Sequence, residues 1–271
     1  EVYQYERTGK ANLLANFEVD PQDKLICFSH FADSCQLIFI FAQGDIVTAS
    51  YDPNNIEDLD SVVVEIVGSI DDGILSAQWS PDEETLSMVT GAKNVILLSR
   101  QFEPIAERAL ASDDANKSKH VSVGWGKRET QFKGKGAKAA ERAILESLKN
   151  SGLKEGEAIR DPTMPATVDE GTKSSFDTGK VSISWRGDCQ FFAISMIEII
   201  NETENRLIRV FDREGNLDTV SEPVNGLEDH LSWKPQGSLI ASTQRKNPND
   251  KNDHTVKDIL INPKFVDQKE E

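Results

Sequence analysis

Trp185-Arg186-Gly187-Asp188, followed at once by Phe191-Phe192-Ala193-Ile194, is an aromatic residue closing one short strand, a polar turn, and a second apolar strand. The arrangement recurs on both sides of this stretch. Phe31 precedes Leu37-Ile38-Phe39-Ile40, and Trp79 leads through Ser80-Pro81-Asp82 to Leu86. Trp233 leads through Lys234-Pro235-Gln236-Gly237 to Leu239-Ile240-Ala241, and Trp125 opens a weaker copy. The aromatic spacings are 48, 46, 60 and 48 residues. A period of about 40–50 residues with several strands per unit is the mark of a β-propeller, whose blades bury their faces against one another. The expected fold is therefore all-β, a WD40-like β-propeller, with Phe31, Trp79, Trp125, Trp185 and Trp233 as structural blade aromatics.

The spaces between these aromatics fill in consistently. Residues 2–5 and 13–19 read as two strands around Thr8-Gly9-Lys10, the outer half of a blade. Unit 1 has strands at 25–28, 37–41, 46–51 and 62–67, and unit 2 at 74–79, 86–89, 95–98 and 105–110. Turns carry Gly, Pro, Asp and Asn, which tolerate the required dihedrals. Inner strands should be apolar on both faces, covered by neighbouring blades. Unit 3 begins with strands at 120–125 and 130–132, then departs into an insertion at about 133–178. Within it 136–150 reads as a helix, with Ala137, Ala140, Ile144 and Leu148 near one face and Gly152 as a C-terminal cap. Residues 155–178 are rich in Pro, Gly, Ser and Thr and are expected to be loosely packed. In unit 4, Phe211-Asp212 takes the place of the usual Trp-Asp of a WD40 blade. Unit 5 is split by the polar run 244–254. The expected organisation is an incomplete ring of four fuller units and two partial ones over residues 1–266, with a helix and loop insertion, and a disordered tail at 267–271.

Composition narrows the function. The chain has 271 residues, 38% apolar content and a net charge of −16, which opposes nonspecific binding to nucleic acid or anionic lipid over most of the surface. No stretch approaches 18 consecutive apolar residues, so no transmembrane helix and no membrane partner are expected. The N-terminus lacks an initiator Met and a secretory pattern, which reads as a piece of a longer chain. Cys27, Cys35 and Cys189 have no metal-like spacing and read as buried reduced thiols of an intracellular protein. His30, His120, His230 and His254 share no ligand spacing, and His120 and His230 are placed to bond across a blade. There is no Gly-x-Ser-x-Gly turn, and Gly134-Lys135-Gly136 lacks the phosphate-loop spacing. Asp71-Asp72 and Glu83-Glu84 occupy turns and read as solvated. The expectation is a chain without catalytic residues, cofactor or metal. A propeller hydrolase would need a carboxylate-rich channel.

One segment stands apart electrostatically. Between Trp125 and Lys154 there are eight basic residues, among them Lys127, Arg128, Lys133, Lys135, Lys138 and Arg142, against three acids. Such a cluster can neutralise phosphates. Three readings fit it: a solvated helix face, a contact to nucleic-acid phosphates (tRNA, if the resemblance given next holds), or docking to an acidic partner surface.

Several strings exceed a generic propeller. They are Val123-Gly124-Trp125-Gly126-Lys127-Arg128-Glu129-Thr130-Gln131-Phe132, Ser184-Trp185-Arg186-Gly187-Asp188, Arg213-Glu214-Gly215, Ser221-Glu222-Pro223-Val224 and Ser232-Trp233-Lys234-Pro235 through Ala241-Ser242-Thr243-Gln244. In this order, over about residues 12–245, they resemble the first WD40 propeller of the largest scaffold subunit of the Elongator complex, the IKAP family. Lys133-Gly134-Lys135-Gly136 and Arg160-Asp161-Pro162-Thr163-Met164-Pro165 look like its fungal branch. The tail after Arg245 matches no pattern of the family. The resemblance implies a noncatalytic scaffold supporting wobble-uridine modification of tRNA. The chemistry would then lie on a separate catalytic subunit, and a second WD40 subunit would be a further partner. It implies a cytoplasmic location, with the nucleus as a second one. The family's dimerisation region is not in this chain. The alternative is a generic WD40 interaction module of another intracellular complex.

Overall fold

The computed structural model describes residues 2–5, 7–16, 20–54, 62–110, 119–121, 171–200, 202–221, 224–235, 237–245 and 256–261. They form eighteen strands and, among the described residues, no helix. The expected helix at 136–150, Trp125 and the tail at 267–271 lie outside the described residues.

A two-stranded sheet pairs β1 (Val2–Tyr5) with β2 (Ala11–Ala15). Blade 1 runs β3 (Leu25–Phe31), β4 (Gln36–Phe41), β5 (Asp45–Ser50), β6 (Val63–Ser69). Blade 2 runs β7 (Ile74–Trp79), β8 (Thr85–Thr90), β9 (Asn94–Ser99), β10 (Pro104–Ala109). Blade 3 has β12 (Ser182–Trp185), β13 (Phe191–Ile200), β14 (Thr203–Asp212) and β15 (Leu217–Ser221), with β11 (Lys119–Val121) added outside β15. Blade 4 has three strands, β16 (Leu227–Trp233), β17 (Ile240–Arg245) and β18 (Val256–Ile261). Successive strands within each blade pair antiparallel; β11 alone is parallel to its neighbour.

Every described blade aromatic ends the first strand of its blade: Phe31, Trp79, Trp185 and Trp233 are all buried there. Of the strand expected at 120–125, the described residues 120 and 121 belong to the parallel edge strand β11, and blades 2 and 3 are in direct contact, so among the described residues no blade stands between them as the unit read around Trp125 required. The described sheets thus comprise three blades of four or five strands, one of three, and one two-stranded pair.

The core is a series of sheet-to-sheet seams. Phe31, Ile38, Ile40, Trp79, Leu86 and Met88 join blade 1 to blade 2. Val89, Leu97, Trp185, Phe192, Ile194 and Phe211 join blade 2 to blade 3, with Val181 and Leu110. Ala193, Val210, Leu227, Trp233 and Ile240 join blade 3 to blade 4. The opposite face of blade 1, Leu37, Phe39, Phe41 and Val47, receives Val2. Burial is greatest in the second strands: all six residues of β8 are buried, while only Ile74 and Trp79 are in β7. The expected continuous burial of first strands is therefore corrected. A middle strand is covered by sheets on both faces, whereas a first strand is an edge of its own sheet.

The crossing from blade 1 to blade 2 is locked by backbone. Ile70 N–H donates to Gly44 O at 3.1 Å, Ile74 N–H to Ala42 O at 2.9 Å, and Gly91 N–H to Gly73 O at 3.0 Å. Gly44 has φ +117°, and a Cβ there would lie 2.0 Å from Ile70 O. Both the dihedral and the approach demand glycine.

Gly44→Ala should therefore destabilise the protein by about 2–4 kcal/mol, from left-handed strain plus overpacking against fixed backbone. Gly9→Ala, also at positive φ but with nothing within 4 Å, should cost about 1 kcal/mol. Urea denaturation of the two variants checks the difference.

Candidate interaction surface

Two of the aromatics that end the first strands, Trp185 and Trp233, also bind the blades through polar atoms, whereas Trp79 Nε1 is buried without a hydrogen-bond partner. Trp185 Nε1 donates to Ser87 Oγ at 2.8 Å and to Gln78 O at 3.3 Å on blade 2. Trp233 Nε1 donates to Ser184 O at 2.9 Å on blade 3. Gln78 and Ser184 each precede the aromatic of their own blade. Each of these indoles thus reads the backbone one residue before its counterpart in the preceding blade. Blade 1 has Phe31 in that register, packed edge-on against Trp79 with ring centroids 4.8 Å apart.

Charges repeat the arrangement at the turns. Arg213, after the third strand of blade 3, donates to Asp82 Oδ2 at 2.6 Å in the turn after Trp79. Arg100, after the third strand of blade 2, pairs with Asp33 in the turn after Phe31, and its guanidinium sits 4.6 Å over the Phe31 ring. In blade 3, Arg186 holds Asp188 of its own turn through two hydrogen bonds of 2.7 and 2.6 Å, stacks 4.4 Å over Phe191, and reaches the Trp233 ring of blade 4 at 5.9 Å. The Arg100 hydrogen bond holds the Asp33 carboxyl below its ordinary range, and Arg186 does so for Asp188 against an opposing effect of burial. For Asp82, burial pushes the carboxyl up, but hydrogen bonds from Ser80 and Arg213 outweigh it and the net shift is downward.

Blade 3 carries two buried ion pairs. Its hairpin β13–β14 has ten residues in each strand, against six in the second and third strands of blades 1 and 2, and so extends beyond them. On one face Arg209 Nη2 lies 2.7 Å from Glu198 Oε2, a contact of ions without hydrogen-bond alignment, with both side chains at most 3% exposed. On the other, Arg206 donates from Nε and Nη2 to both Asp177 oxygens at 2.6 Å, and from Nη1 to Lys180 O and Ser195 Oγ. The Arg206 and Asp177 side chains are 0% and 2% exposed.

Asp177 belongs to residues 171–181, which strap across blades 3 and 4. Thr172 bridges to Asn205, and Lys173 N–H donates to Glu204 O. Gly171 and Thr172 N–H groups both donate to Asn225 Oδ1 at 2.9 Å. Gly226 N–H returns to Thr172 O, and Arg245 of blade 4 lies over the Phe176 ring. The described end of the segment expected to be loosely packed, 171–178, is therefore tied down, with Ser174 fully buried.

This strap locates the base of the basic excursion. The chain leaves through Val121, which pairs with Ser221, and returns through Gly171, held by Asn225 four residues further along the same loop. Residues 122–170 therefore start and finish at one corner of blade 3. Lys127, Arg128, Lys133, Lys135, Lys138 and Arg142 lie outside the described residues. Sequence reading missed the strap and both ion pairs. The available signal was Arg206 and Arg209 flanking the apolar pair Leu207-Ile208 in the third strand.

The other titratable groups are dispersed. His30 Nε2 meets Tyr51 Oη at 2.7 Å. His230, expected to bond across a blade, lies within β16 with its side chain 77% exposed beside Asp229, because it occupies an outward position of the strand. The three cysteines are free; Cys189 is buried, whereas Cys27 on β3 and Cys35 in the turn before β4 are half-buried. Burial pushes the Cys27 and Cys189 thiols up. Among the described residues no group of three His, Cys, Asp or Glu could hold a metal, and no helix is long and apolar enough to cross a membrane.

Residues 1–260 match the family described as "ELP1 first N-terminal beta-propeller". The chain is 56% identical over 254 residues to Elongator complex protein 1 of Saccharomyces cerevisiae, covering 91% of this chain and 19% of that protein. It is 38% identical over 219 residues to Elongator complex protein 1 of Schizosaccharomyces pombe, covering 80% and 15%. The rabbit (Oryctolagus cuniculus) protein of the same name is 36% identical over 229 residues, covering 83% and 15%. The chain thus spans less than a fifth of the length of these relatives.

Removing one member of a buried pair strands its partner. Arg206→Ala should cost about 3–5 kcal/mol in urea denaturation, while Arg206→Leu with Asp177→Leu should recover most of that stability. A second expectation concerns acid. Carboxyls held below their ordinary value of 3.8 contribute stability that is complete above it and lost as pH falls through the lowered value. The urea midpoint should stay level from neutral to about pH 5 and drop below about pH 4, less steeply in Asp82→Asn.

Proposed function

The chain belongs to the ELP1 first N-terminal beta-propeller family, and on that premise we propose that it is a noncatalytic scaffold propeller of an Elongator complex. In this reading it supports modification of the wobble uridine of tRNA, while a separate subunit performs the chemistry. The other Elongator subunits, the catalytic one and a second WD40 subunit, are its partners, in the cytoplasm and also in the nucleus. The observation that carries the reading is family membership over residues 1–260. The rigid seams between blades suit it, because a scaffold must hold a surface in fixed relation to its neighbours.

Within that role, Lys127, Arg128, Lys133, Lys135, Lys138 and Arg142 are the proposed contact to the tRNA backbone. The support is their density of positive charge in a chain of −16, on an excursion whose two ends are fixed at one corner of blade 3. Only Trp125 and Phe132 could stack on bases within the stretch 125–154, so the proposed contact is to phosphates rather than base edges.

The test uses the full-length chain in its assembled complex, with these six residues changed to Ala. Binding of tRNA should weaken, and the log–log salt slope should fall by about 0.7–0.9 for each phosphate that is no longer neutralised. Unchanged affinity and slope would return the cluster to a solvated surface. Release of an acidic protein partner instead, with tRNA binding intact, would favour docking to that partner.

A further inference from the structure

Asn225 and Gly226 are the sequence's one Asn-Gly pair. In such a pair the glycine's peptide nitrogen can attack the asparagine side-chain carbonyl carbon, because the glycine has no Cβ to hinder the approach. Here both reacting groups are engaged. Asn225 Oδ1 accepts from Gly171 N–H and Thr172 N–H, each at 2.9 Å. Gly226 N–H donates to Thr172 O at 2.9 Å. Blade 4 holds two other atoms of the pair: Gln244 Nε2 donates to Asn225 O at 2.7 Å, and Arg245 N–H donates to Gly226 O at 2.8 Å. The two sets of partners divide by chemistry. Residues 171–172 of the strap occupy the nucleophilic nitrogen and the electrophilic carbonyl, whereas blade 4 occupies only main-chain oxygens. Gly226 is buried and Asn225 half-buried beneath these contacts. The strap joins the sheets through a single bridge, Thr172↔Asn205, and is held otherwise by loop contacts such as Arg206 with Asp177, so it is suited to local opening with the blades intact.

We propose that Asn225-Gly226 is a covalent modification site guarded by the strap: when 171–181 lifts, the pair cyclises and deamidates, and the isoaspartyl product prevents the strap from seating again. The steps balance with water as the one co-reactant. Gly226 N loses its proton to solvent hydroxide and bonds to Asn225 Cγ. The Cγ–Nδ2 bond breaks and ammonia leaves, which closes a five-membered succinimide. Water then adds to one of the two ring carbonyls. Cleavage of the new Cγ–N bond leaves an aspartate, and cleavage of the original peptide C–N bond leaves an isoaspartate whose main chain runs through Cβ and Cγ. The aspartate can still accept from Gly171 and Thr172. The isoaspartate lengthens the main chain by one carbon and turns the former peptide carbonyl into a side carboxylate. The Gly226 bond to Thr172 O and the Gln244 bond to residue 225 then cannot both keep their register. Lifting of the strap thereby becomes irreversible, and the return end of the basic excursion loses its anchor. This inference does not depend on tRNA binding, since it concerns the chemistry of the anchor alone.

The experiment ages the full-length chain in its assembled complex at mildly alkaline pH and follows residue 225 by peptide mass spectrometry, with isoaspartate identified by enzymatic methylation. Three samples are compared: the parent, the parent unfolded in urea, and Asp177→Ala, which removes the strap's buried carboxylate. Asp177→Asn keeps the shape without the charge and replaces Asp177→Ala if thermal unfolding shows that variant to be misfolded. Deamidation at 225 should be far slower in the folded parent than in urea. It should rise about tenfold or more in the strap variant, because the reaction follows the population of the open form. Hydrogen exchange over 171–178 should quicken in the same variant, and in aged chains that carry isoaspartate it should stay fast after return to neutral pH. A folded parent that deamidates as fast as the unfolded chain would overturn the proposal. So would a variant whose strap exchange quickens without faster deamidation, strap exchange unchanged in the variant, or isoaspartate formed with exchange at 171–172 unaltered.

Discussion

Two buried indole N–H groups, each donating to backbone of the preceding blade, set the spacing of three successive sheets. Trp185 binds Gln78 O and Ser87 Oγ, and Trp233 binds Ser184 O. A sheet seam made only of aliphatic groups can slide, because dispersion contacts are weakly directional. Trp79 Nε1 is buried without a hydrogen-bond partner, but at Trp185 and Trp233 the buried indole adds a satisfied, directional donor. Its acceptor is the residue before the neighbouring aromatic, so the register of one blade is copied onto the next. The first seam works by shape instead, with Phe31 edge-on to Trp79 and Arg100 stacked over Phe31.

The strongly acidic balance of the chain makes the placement of its arginines decisive. Arg100 and Arg213 each cross a seam to a turn aspartate of the preceding blade, close to where the aromatic ends its strand. These are solvent-touched pairs and contribute little individually, but they oppose the repulsion that one-signed turns would otherwise build up. Arg206 and Arg209 do the opposite work inside blade 3. They are fully buried, so their value lies in uniqueness: only one placement of 171–181 brings Asp177 and the Lys180 carbonyl to Arg206. The result is a fixed foundation at the point where the basic excursion returns to the body.

Under the proposed scaffold role, this division is useful. The seams provide a stiff frame, and the chain that leaves it does so from a corner secured on both sides. The frame's outer edges then differ: one is filled from within, one carries proline and charge, and one is bulged at Val67 and carries Glu65 among exposed valines and isoleucine.

Most of the fold was legible in residues near one another. Phe31, Trp79, Trp185 and Trp233 end strands where the spacing placed them, the turns Ser80-Pro81-Asp82 and Arg186-Gly187-Asp188 follow, and the hairpins of blades 1 and 2 have the expected strands. Hydrophobic alternation and turn chemistry act within a few residues, so a single chain displays them directly. The family resemblance rested on equally local strings over about residues 12–245; the family match extends to 1–260 and takes in most of the tail after Arg245 that those strings left unmatched. What tertiary structure alone decided is everything that joins distant stretches. The aromatic period made Trp125 the start of a blade, yet blades 2 and 3 touch directly and residues 119–121 became a parallel edge strand. Trp185 finds its acceptors 98 and 107 residues away, and Asp177 and Arg206 meet across 29. A repeat pattern specifies that each unit needs a neighbour; which surface becomes that neighbour is settled by the burial and hydrogen bonding of groups that no local spacing connects.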